Sequence, residues 1–112
     1  MTAPDIVQKD QPLTAHHVIV RLERNNRELL DLSNRLRSYK CEPKTYSLFE
    51  RLEEIRDHLE NLAGSNREVI DILGADRKSL DEHFNRIIWQ LREFKELKGS
   101  VLEYIGMAKL HT

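Results

Sequence analysis

The chain has 112 residues, a third of them charged, with few aromatics, one cysteine and a formal net charge of −1. That length suits one domain with a single economical core, and the charge-rich, aromatic-poor balance is that of a helical protein rather than a β-sandwich or an acidic disordered tail. Near-neutrality argues against a polyanion as the main partner, and the solitary Cys41 excludes an internal disulfide.

Residues 1–12, MTAPDIVQKDQP, hold two prolines and two aspartates but no apolar run of signal length, so they read as a flexible arm and not as a leader. The rest, 13–110, is expected to be one helical unit. Val18, Leu22, Asn25, Leu29, Leu32, Leu36 and Tyr39 alternate spacings of four and three, the seam of a first helix over about 13–40. Cys41 falls in the connection that follows, as a plain loop thiol. Pro43 suits a first helical turn, and Leu48, Leu52, Ile55, Leu59, Leu62, Asn66, Val69 and Leu73 mark a second helix over about 43–73. Gly64 and a Ser65/Glu68 capping box would favour a break inside it. The seam nevertheless passes through in phase, so one helix is expected. Gly74 can end it, and Asp76 or Ser79 can cap the next, Ser79 with Glu82 at capping-box spacing. Leu80, Phe84, Ile87, Leu91, Phe94, Lys98, Val101 and Ile105 then define a third helix over about 77–109.

Three helices of similar length with short connections can each bury a stripe by folding back antiparallel, which predicts an all-α, up-down-up three-helix bundle. NNRELLDLS at 25–33 echoes SNREVIDIL at 65–73, but an antiparallel hairpin sets the two segments at different levels, so they build no common site. The polar seam positions Asn25, Asn66 and Lys98 are candidates for setting register, with Lys98 expected to snorkel to the edge. This topology resembles that of spectrin-type repeats and of the amino-terminal three-helix domains of membrane-fusion proteins. Trp89 falls outside the seam, where a spectrin-type repeat would bury its tryptophan, and no family is assigned.

Few residues invite chemistry. No Glu-x-x-His motif of di-iron bundles occurs. His16 or His17, Glu68 and His83 fall near one end and could form a surface metal site, although exposed histidines on charged faces are the expectation. Cys41 has no nearby base, no phosphate loop exists, and the paired carboxylates Glu53/Glu54 and Asp81/Glu82 sit on solvated faces. Neither an enzyme nor a cofactor is expected.

Charge divides between neighbouring helices. The first carries Arg21, Arg24, Arg27, Arg35, Arg37 and Lys40 against Glu23, Glu28 and Asp31. The second carries Lys44, Arg51, Arg56 and Arg67 against Glu50, Glu53, Glu54, Asp57, Glu60, Glu68 and Asp71. Complementary flanks are expected to pair, leaving nucleic acid as the rival reading. Apolar residues off the seam are harder to place. Val20, Leu30 and above all Trp89, with its helical neighbours Arg86, Arg92 and Glu93, point away from the expected core, and an exposed tryptophan is a typical binding anchor. The reading is a non-enzymatic protein-interaction module, an adaptor, assembly or secretion chaperone or small regulator, expected in the cytoplasm and off the membrane. A second copy of the chain is the first candidate for the Trp89 face. A nucleic-acid-associated regulator using the basic first helix is the alternative, and a metal sensor or small enzyme the third.

Overall fold

The computed structural model describes residues 14–110, so the arm assigned to 1–12 and His111 lie outside the described residues. Three long helices account for most of the chain: α1 over Ala15–Leu36, α2 over Tyr46–Ala75 and α3 over Phe84–Lys109. They form the up-down-up bundle, with α1 packed most extensively on α2, and no strand occurs among the described residues. The 30 residues of α2, at about 1.5 Å per residue, account for most of the 49 Å long axis.

The helix ends differ from the pattern, each for a local reason. α1 stops at Leu36 instead of continuing to about 40, because Ser38 turns extended and its hydroxyl accepts from the Lys40 amide, opening a short 3₁₀ turn over Tyr39–Cys41. A serine competes in this way for backbone donors. Tyr39 therefore leaves the seam and is 72% exposed. Pro43 does not begin α2. Glu42 before it is held extended, as residues preceding proline are, and the helix starts where the Thr45 hydroxyl accepts from the Leu48 amide at 3.1 Å. At the other corner Asp76 caps a 3₁₀ turn over Arg77–Leu80, accepting from the Lys78 amide. Ser79 lies inside that turn, so the Ser79/Glu82 capping box does not form. α3 begins only at Phe84, behind a His83 that makes no side-chain cap bond. Phe84 is consequently exposed and Leu80 only half-buried.

α2 is continuous through Gly64 and Ser65, and all eight seam positions expected on it are buried. On α1 the six from Val18 to Leu36 are buried too, joined by Ala15. α3 departs most. Ile87, Leu91, Phe94, Val101 and Ile105 face inward as expected, but Gln90, Leu97, Tyr104 and Ala108 are also buried. Lys98 is not a core residue: its ammonium runs out to Glu28 on α1, and its side chain is 43% exposed.

The core is divided. One cluster, at the end bearing the α2–α3 corner, comprises Ala15, Val18, Leu22, Val69, Leu73, Ile87 and Leu91. The larger one runs from Leu29, Leu62 and Phe94 to Cys41 and Ala108. Between them every helix contributes a buried polar residue: Asn25, Asn66 and Gln90.

Candidate binding surfaces

The polar layer is the most specific side-chain arrangement in the bundle. The Asn66 amide donates to the Asn26 carbonyl at 2.8 Å, and the Asn26 amide donates to the backbone carbonyl of Ala63 at 3.1 Å. Gln90 donates to the Ser65 hydroxyl at 2.7 Å, and Arg86 reaches the same hydroxyl at 3.1 Å. Both asparagines expected on the seam, Asn25 and Asn66, are buried, and Asn66 bonds across the helix pair to Asn26. The side-chain carbonyls of Asn66 and Gln90 are buried without a donor. Asn26 and Gln90 were not foreseen. Gln90 carried a usable signal, since it stands three residues after Ile87 and four before Phe94, the same seam spacing that selected Leu91.

The off-seam apolar residues are exposed as the pattern requires: Val20 is 44% exposed, Leu30 61% and Trp89 49%. They do not form one patch. Trp89 is on α3, one turn from Arg86, whose guanidinium binds Glu68 of α2 at 2.7 Å; Arg86 therefore serves the α2–α3 contact before any rim around Trp89. Arg92 is exposed and Glu93 half-buried. Val20 and Leu30 lie on α1, and Leu30 belongs to a separate feature, a groove of about 440 Å³ between α1 and α2.

That groove is lined by the apolar Leu29, Leu30, Leu59 and Ala63, by Asn26 and Ser33, and by Arg37, Arg56 and Arg67, with Glu60 its one acidic residue. Arg56 is shared with Glu53 at 3.2 Å. Among the described residues Arg37 and Arg67 have no ion pair, and both are exposed. Arg24, Arg27 and Arg35 of α1 likewise make no ion pair with α2 among the described residues, so the expected pairing of the two helices is not found at these positions. The cross-helix pairs seen are α3 contacts instead, Arg51–Glu103 and Arg86–Glu68 to α2 and Lys98–Glu28 to α1. The helical phase explains this: Glu53, Glu54 and Asp57 point outward from α2 and not across to α1, and all three are exposed.

No group of three His, Cys, Asp or Glu side chains among the described residues is placed to hold a metal. His16 and His17 stand 6.1 Å apart ring to ring, while Glu68 is taken by Arg86, so the suggested cluster is not assembled. Among the described residues one ionisable side chain is clearly displaced from its ordinary behaviour: burial pushes the Tyr104 phenol upward, with the Cys41 thiol adding to the shift and Arg56 opposing it. No described helix is long and apolar enough to cross a membrane. Neither a family, nor a curated protein, nor a solved structure matches this chain.

Proposed function

We propose that this protein is a non-enzymatic helical interaction module, an adaptor, assembly chaperone or small regulator that works by presenting helix faces to other proteins. The observation that carries the reading is the exposure of Val20, Leu30 and Trp89 on a bundle whose three seams are already buried against one another. Apolar side chains that the fold does not use are available to a partner, and tryptophan is the residue type most enriched at binding hot spots. On α3, Arg92 and Glu93 flank Trp89 with opposite charges, so two copies related by a two-fold axis could exchange them around a shared aromatic centre. A homodimer through this face is part of the proposal.

Pull-down of the tagged chain from its native cell, followed by mass spectrometry, tests the module reading. A specific protein that is lost from Trp89→Ala or Leu30→Ala supports it, and an equal yield from all three baits removes these residues from the interaction. Sedimentation tests the dimer: Trp89→Ala should reduce the mass while leaving helicity intact. A parent chain monomeric at high concentration excludes the dimer.

Arg24, Arg27 and Arg35 of α1, which have no ion pair among the described residues, support a second reading, a nucleic-acid-associated regulator. A mixed DNA or RNA probe retained at low salt and released steeply with added salt would favour it.

A further inference from the structure

We infer that the α1–α2 groove is a docking site for an acidic amphipathic helix of a partner protein, an assignment that deepens the interaction-module reading and rests on it. The dimensions fit such an occupant. The lining runs from Asn26 on α1 to Arg37 just past its end, and antiparallel from Arg56 to Arg67 on α2, in each case about 15–16 Å or three turns. Four of the lining residues are apolar, and Leu30, 61% exposed, is left in water by the free chain.

Charge selects the partner. Three guanidiniums line the groove against the single carboxylate of Glu60; Arg56 is partly neutralised by Glu53, whereas Arg37 and Arg67 have no ion pair among the described residues. Guanidinium forks beside an apolar surface are suited to bidentate contact with carboxylates. A helix with apolar residues at i, i+3 or i+4, and i+7 would set them on Leu30, Ala63 and the edges of Leu29 and Leu59, and flanking Asp or Glu side chains would reach the arginines. A nucleic-acid strand fits less well. It offers no aliphatic side chain to Leu30, which the free chain leaves 61% exposed.

The test uses the full chain and a fluorescein-labelled helical peptide of about 18 residues, with leucines at i, i+4 and i+7 and glutamates on both flanks, beside an otherwise identical peptide with lysines for glutamates. Fluorescence anisotropy should show the glutamate peptide binding at least about tenfold more tightly than the lysine one, with the preference shrinking as salt is added. The R37E/R67E pair and, separately, Leu30→Asp should each weaken binding by at least about tenfold, with circular dichroism unchanged. Arg67→Gln, a milder change, should lie between. Several results would overturn the assignment: no binding, equal binding of both peptides, or variants that bind like the parent. So would decanoate or a DNA or RNA duplex taking the groove in place of the peptide, or a dimer in sedimentation that Arg67→Glu dissociates. If the glutamate peptide fails while Trp89→Ala still loses its captured protein, the groove assignment falls and the interaction module stands.

Discussion

Tyr104 shows how one buried polar atom can tie a connection to a helix. Its ring is fully buried in the larger core cluster, and its hydroxyl donates to the Cys41 carbonyl at 2.7 Å, fastening the α1–α2 connection to the last turns of α3. Burial favours the neutral phenol and raises its pKa in the folded chain. The unfolded chain therefore gives up this proton first as pH rises. The contribution is complete below about pH 10, the ordinary tyrosine value, and is lost as pH climbs through the raised one. Tyr104→Phe should cost about 1–2 kcal/mol by leaving the carbonyl without its donor, and urea titrations should show a shallower loss of stability above about pH 10. Equal alkaline profiles for parent and variant would show that the loss does not come from Tyr104. Gln90 presents the opposite case. It makes one bond, to Ser65, and buries a carbonyl without a partner. An orphaned buried acceptor costs about 1–3 kcal/mol, more than a typical hydrogen bond returns, and Arg86 still serves the Ser65 hydroxyl. Gln90→Leu should accordingly raise the melting temperature, and a lower one would show that the layer is better satisfied than its direct bonds indicate.

At the scale of the element, α2 carries the clearest test because it is the longest helix and contains a glycine in its interior. A Cβ built on Gly64 would meet only the Arg67 guanidinium, at an ordinary 3.8 Å, and the backbone there is regular helix. Gly64→Ala should stabilise the protein by about 0.5–1 kcal/mol, read from denaturant midpoints; no gain would indicate that the added methyl disturbs the neighbouring Asn26–Ala63 bond. Leu59→Ala and Leu91→Ala should each cost about 2–5 kcal/mol as cavities open in the two core clusters. α2 was also the element most legible in its sequence. Phe49, Ile70 and Ile72 fall off its seam but build no competing series, so the four-three spacing admits one solution. α3 admitted two, because Leu97 and Tyr104 form a seam as regular as Lys98 and Ile105, and the packed bundle buries Leu97, Tyr104 and Ile105 while Lys98 runs to the edge. The ends were less legible, since Ser38 and Asp76 divert the backbone by bonds that hydrophobic periodicity does not encode. For the surfaces, the exposure of Trp89, Val20 and Leu30 followed from helical phase alone. The arginine-lined groove did not, because it joins residues some thirty positions apart in sequence.

For the whole molecule the decisive feature is the polar layer, which parts fifteen buried residues on one side from seven on the other. Stability is uneven when apolar contacts are unevenly shared. The smaller cluster also sits where α3 starts without a side-chain cap. Native-state hydrogen exchange should therefore find amides around Ile87 and Val69 opening at lower free energy than those around Val101 and Ile55. Uniform protection along all three helices would mean that the layer transmits cooperativity instead of interrupting it.

Cys41 gives that larger end a built-in clock. It is the single thiol of the chain and only 4% exposed, so an aromatic disulfide reagent in excess can reach it only when the connection lifts away from Tyr104. The labelling half-time then counts those excursions directly, independent of what happens at the Trp89 end. Any molecule that clamps α1 against α2 would slow the clock without touching the sulfur.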